Sequence, residues 1–287
     1  EAALLAARRG KTLIGMGDIE DAMIKVTVGT QKKSHKIKDD EKKKTAYHEA
    51  GHAILAHLLP TQDPVRQISV IPSGMALGYT LNPPLEDRYS VYKNQLKEEI
   101  AMLLGGRAAE EIIYGDVSGG ASNDIQRATE IARKMVTNLG MSDVIGNIRL
   151  GGEHSSDEVF LGRDFNATQN YSDKTAALID DEIKKIVDEA YSKALSIRNE
   201  NRDKLDFVAE FLVRNEVMDG DEFKKAMDGV SMEELEAEAA ERRRASEEEN
   251  AKRKERLDEE ARREEERHRR EESQKEKINP DRFPWEQ

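Results

Sequence analysis

The run His48-Glu49-Ala50-Gly51-His52 constrains this chain more than any other feature, because its spacing is meaningful on a helix. Residues four apart on a helix lie about 40° apart around the axis and one turn along it. Two imidazoles so placed can grip one ion. The surrounding residues suit a helix, which is expected to begin near Asp39 or Asp40, continue through TAYHEAGHAILAHLL and stop at Pro60. Ile54, Leu55 and Leu58 are available to anchor it in a core. His57 lies nine residues from His48, on the opposite side of the helix, and reads as a surface or packing residue.

The pattern H-E-x-x-H points to a zinc hydrolase. Imidazole suits Zn²⁺, and an ion held there lowers the pKa of its water to about 7. Glu49 stands next to the first ligand, where a carboxylate can take a proton from water and pass it on to a leaving group. Ala50 and Gly51 leave room beside the ligands. The chain has no cysteine, so disulfides are excluded and a metal must be held by histidines and carboxylates.

A catalytic zinc site usually has three protein ligands and one open position. The metzincin extension is excluded, because Leu55 and Leu58 stand where its glycine and third histidine belong. Glu110, Glu111, Asp116, Asp124 and His154 remain as candidates for the third ligand, and spacing alone does not choose among them. Asp124 also has a structural reading, as an acid in the first turn of a helix.

The rest of the chain reads as mainly α. Residues 1–29 suggest two helices, one ending at Gly10 and one capped by Asp18 and stopping near Gly29. They look like the trailing edge of an upstream domain. Gly10-Lys11-Thr12 imitates the end of a phosphate loop, but Leu5 stands where its first glycine is required and a helix precedes it. Residues 30–44 carry seven lysines and read as a solvated linker running into the motif helix. VRQISVI and ALGYTLN flank Pro72-Ser73-Gly74-Met75 as a β-hairpin. Next come a helix over residues 91–114, a glycine-rich loop, a helix opened by Asp124, a possible strand at residues 159–161 and two or three helices over residues 172–230.

From residue 232 the chain is almost all charge and alanine. With Leu257 nearly the only large apolar residue across 241–277, a coiled-coil seam is excluded. The expectation is a solvated helix or a disordered tail. Phe283 and Trp285 near its end read as a loose terminus or a short docking peptide. The net charge of -12 argues against nucleic acid or an anionic membrane surface as the main partner. No apolar run approaches the roughly 18 to 20 residues that cross a bilayer.

TAYHEAGHA, ISVIPSGMALGYT, LLGGRAAEEIIYG and GGASNDIQRATEIARKMV resemble, in order and spacing, the FtsH-type proteases, membrane-anchored AAA zinc metalloproteases. EAALLAARRGKTLIGMGDIEDAMIKVTVG is similar to the end of their ATPase lid. The resemblance spans about residues 1–230. It implies a mainly helical zinc-peptidase domain with a small β element over residues 45–231, following a lid remnant at 1–29 and a linker at 30–44, with the charged tail at 232–287. It implies Zn²⁺ on His48, His52 and Asp124, Glu49 as the catalytic group, and Glu110 as a residue orienting a histidine. It further implies a homo-hexamer and unfolded-protein substrates. ATP use and membrane anchoring would reside in upstream segments, with this part a soluble piece on the cytoplasmic side. The competing expectations are an inactive peptidase-like scaffold, and an interaction module that works through the tail.

A strand at residues 76–81 on an exposed sheet edge could pair with an extended substrate through backbone hydrogen bonds. The plainer reading is a hairpin that props the core.

Overall fold

A computed structural model describes residues 1–11, 13–30, 38–74, 76–150 and 171–242, together with 244, 248, 262, 263 and 267. The expected strand at 159–161, His154, Phe283 and Trp285 lie outside them. The chain divides into two compact units, Thr30–Leu235 and a second made of Glu1–Gly29 with Glu236–Gln287.

In the second unit, helix α1 (Ala2–Arg8) packs on α2 (Met16–Thr27). Asp18 was expected at the helix cap. It lies instead in the first turn of α2, where its carboxylate accepts the Gly15 N–H at 3.0 Å. That bond, Arg9 and Lys11 hold this buried acid down at about 2.

The Thr30–Leu235 unit is built around α3 (Asp39–Leu58), which carries the histidine motif. Three acids in its first turn favour the positive end of the helix dipole, and the helix ends at Leu58, two residues before Pro60. Strands β1 (Gln67–Ser69) and β2 (Tyr79–Leu81) form the expected antiparallel hairpin, with Ile68 opposite Thr80. Then follow α4 (Lys93–Leu103), α5 (Gly105–Tyr114), α6 (Ser122–Thr137), α7 (Asp173–Glu200), α8 (Arg202–Asn215), β3 (Val217–Asp219) and α9 (Gly220–Asp228). β3 pairs antiparallel with β1, Met218 opposite Ile68, so the sheet order is β2-β1-β3 and, among the described residues, β2 is an edge. A three-residue strand is too short to show an alternating pattern, and β3 was not anticipated. Asp219 and Glu222 then start α9 with a reciprocal capping box, at 2.8 and 2.9 Å.

The helix expected over residues 91–114 is two helices, broken at Leu104. The break lets α5 press its glycines onto α3. A Cβ at Gly51 would lie 2.7 Å from the Gly105 carbonyl oxygen, and one at Gly105 would lie 3.0 Å from the Gly51 carbonyl oxygen. Both backbones occupy space that side chains normally fill. The Arg198 guanidinium is wedged against the same crossing, where burial pushes it down to about 9.

Two apolar layers hold α3 in place. On one side Leu55 and Leu59 join Ile100, Met135, Ile179 and Ile183 from α4, α6 and α7. Ile54, Phe211, Leu212 and Met218 are likewise fully buried, and α3 packs closely on α8. Each such side chain contributes about 1.5–3 kcal/mol, so the motif helix is anchored from both sides. Gly51→Ala should lower the unfolding free energy by about 1–3 kcal/mol in urea titrations, through overpacking. Gly119→Ala, where a Cβ meets nothing within 4 Å, should stay within about 1 kcal/mol of the unaltered chain.

Candidate metal centre

Helix α3 turns His48 and His52 toward α4, α5 and α6. Each ring is fixed through its Nδ1. His52 Nδ1 lies 2.8 Å from the Met102 carbonyl oxygen, which only accepts, so Nδ1 carries the proton. His48 Nδ1 lies 2.9 Å from Glu110 Oε1 and donates to it in the same way. In the neutral tautomers both Nε2 atoms therefore offer lone pairs, and they stand 3.1 Å apart. Glu110 is itself held, accepting the Ser118 N–H on Oε2 at 2.7 Å. Gly106 lies beneath His48, where a Cβ would come within 2.4 Å of Nε2.

Asp124 enters from the first turn of α6. Its Oδ2 is 3.4 Å from His48 Nε2 and 3.5 Å from His52 Nε2. Ligands about 2.05 Å from a tetrahedral zinc ion lie about 3.3 Å from one another. The three observed separations bracket that edge. His48, His52 and Asp124 are thus positioned to bind a metal ion, and the donor set, two imidazoles and one carboxylate, is that of a catalytic zinc site with one open position.

Glu49, one residue round the helix from His48, faces the sheet instead. It is buried, and its Oε2 accepts the Thr80 hydroxyl at 2.8 Å. The other candidates for a third ligand stand elsewhere. Glu111 accepts from the Tyr191 hydroxyl, and Asp116 is exposed and accepts the Val117 N–H. His57 is exposed and packs edge-on against the Phe223 ring at 5.7 Å. Thr80, Ser118, Gly106 and the Met102 carbonyl escaped sequence reasoning. A carbonyl has no sequence signature, and a threonine in a strand or a glycine beside a helix is ordinary.

The electrostatics divide the carboxylates. Burial opposes charge on His48, but Asp124 and Glu110 outweigh it and lift the imidazole to about 9. Burial likewise opposes charge on Asp124, yet both imidazoles hold its carboxyl well below the ordinary range. Glu110 resists burial through His48 and Ser118 and is held at about 2. Glu49 alone is raised, by burial, against the pull of His52 and His48.

Residues 35–226 match peptidase family M41. The ATP-dependent zinc metalloprotease FtsH 1 of Thermoanaerobacter sp. (strain X514) is 50% identical over 233 residues, which cover 81% of this chain and 38% of that protein. The ATP-dependent zinc metalloprotease FtsH of Caldicellulosiruptor bescii is 51% identical over 225 residues, 78% of this chain and 36% of that protein. Its namesake in Thermotoga maritima is 49% identical over 228 residues, 79% and 37% respectively. The chain therefore spans a little over a third of the length of these relatives.

Glu110→Gln should weaken zinc binding about 10–100-fold in competition with a chromophoric chelator, because His48 loses its anionic orienting partner. Zinc takes a neutral imidazole, and free His48 keeps its proton up to about pH 9. Apparent zinc affinity should therefore rise with pH, by about tenfold per unit at most, and level off above about 9.

Proposed function

The chain belongs to peptidase family M41, and from that premise we propose that it is the zinc-dependent endopeptidase part of an ATP-dependent, membrane-anchored protease that degrades unfolded proteins. The observation that carries the reading is the triangle of His48 Nε2, His52 Nε2 and Asp124 Oδ2, with edges of 3.1, 3.4 and 3.5 Å.

His48, His52 and Asp124 would hold the ion, with Glu110 and the Met102 carbonyl keeping both Nδ1 protons turned away from it. Bound zinc supplies Lewis acidity, polarising the scissile carbonyl and acidifying water. Glu49 then takes a proton from the attacking water as the new C–O bond forms. It returns that proton to the amide nitrogen as the C–N bond breaks, so one water is consumed and two chain ends result. Burial raises the proton affinity of Glu49, which favours the first half of this cycle, the uptake of a proton from water.

The substrate would lie along the open side of β2, adding an extended strand through backbone hydrogen bonds. That mode reads little side-chain sequence and suits unfolded proteins. No described helix is long and apolar enough to cross a membrane; anchoring is assigned to segments outside residues 1–287. Residues 1–29 are assigned to the end of an ATPase lid, the intact assembly is a homo-hexamer, and ATP-driven unfolding precedes cleavage on the cytoplasmic side.

Glu49→Gln should keep its zinc and lose about 10²–10⁴-fold in the rate of cutting an unstructured polypeptide. Undiminished cutting by that variant, measured by fluorescence of a quenched substrate, would remove Glu49 from the reaction.

A further inference from the structure

The group expected to move the proton is held by the same strand that is expected to hold the substrate. Glu49 is on the sheet side of α3, and two residues of the strand segment reach it. Gly78 lies so close that a Cβ there would sit 3.0 Å from Glu49 Cγ and 2.7 Å from Thr45 Cγ2. Two residues on, in the same orientation along an extended chain, Thr80 sends its hydroxyl to Glu49. Its Oγ1 is 2.8 Å from Glu49 Oε2 and 3.0 Å from the Glu49 carbonyl oxygen.

A hydroxyl has one proton to give. The Glu49 carbonyl already serves the hydrogen-bond ladder of α3, whereas the carboxylate accepts from no other group among the described residues. The proton therefore goes to Oε2, the shorter contact. This leaves Oε1 free for water and fixes a side chain with three rotatable bonds. Without the hydroxyl, a buried carboxylate would stand with no donor among the described residues, near the cation that His48, His52 and Asp124 would hold. Its lowest-energy course would be to swing toward the metal ligands, where it serves as a ligand and not as a base.

We propose that Thr80 is the positioning residue for the general base, holding Glu49 off the metal and aimed at the water while its strand holds the substrate. This rests on the zinc-peptidase reading. It adds that strand pairing and proton transfer are coupled through one hydroxyl, so an edge strand out of place would misdirect the base as well as the peptide.

The test compares the zinc-loaded chain with Thr80→Val, which keeps the shape and removes the hydroxyl, and Thr80→Ser, which restores it. Thr80→Val should keep one zinc per chain and lower kcat for a quenched, unstructured peptide by about tenfold or more, with KM within about twofold. Thr80→Ser should return to within about threefold of the unaltered chain. Crystals of Thr80→Val should show the Glu49 carboxylate displaced from its present position. Unchanged kcat in Thr80→Val, or a Thr80→Ser as slow as Thr80→Val, would overturn the proposal, the latter because packing of the methyl group would then be the cause. An unaltered chain that binds zinc and cuts nothing would contradict the peptidase reading instead. The position of Glu49 in the Thr80→Val crystals then decides for or against Thr80 without any turnover.

Discussion

The contact between α3 and α5 at Gly51, Gly105 and Gly106 sets the position of everything else at the metal centre. Helices usually cross 8–10 Å apart, separated by their side chains. Here the two backbones meet where Cβ atoms would otherwise stand, and Gly106 lies directly against the His48 ring. Only this approach lets Glu110, one turn further along α5, reach His48 Nδ1. The break at Leu104 that frees α5 to make the contact also leaves Met102, near the end of α4, with its carbonyl turned to His52. One close crossing thus orients both imidazoles.

Three acids around two histidines then take three different parts because their partners differ. Asp124 faces both Nε2 atoms and keeps its charge against burial. Glu110 lies on the far side of His48, accepting from its Nδ1 and from the Ser118 N–H, outside the triangle of Nε2 and Oδ2 atoms. Glu49 looks away to β2, where burial raises its hold on a proton and Thr80 takes one of its oxygens. Asp124 is suited to bind, Glu110 to orient and Glu49 to exchange protons.

Much of this was legible beforehand, for identifiable reasons. The motif helix, the hairpin and the helices after residue 172 follow from periodicity and turn residues, which are local. Asp124 could not be separated by spacing from Glu110, Glu111 or Asp116, because which acid reaches the histidines depends on how α5 and α6 cross α3. The break at Leu104 was hidden within an apolar pattern that runs on through Gly105 and Gly106. β3 was hidden by its length, since three residues beside a helix cap form a strand only because β1 offers its second edge. Met102 and Ser118 act through backbone atoms, which no side-chain pattern records.

The central claim is that one zinc ion sits on His48, His52 and Asp124. Anomalous diffraction at the zinc edge from crystals of the zinc-loaded chain tests it most directly. The account predicts a single peak about 2.0–2.2 Å from both Nε2 atoms and from one Asp124 oxygen, with Glu110 still on His48 Nδ1. A peak that leaves Asp124 out, or that takes Glu110 or Glu49 as its third protein ligand, would contradict it.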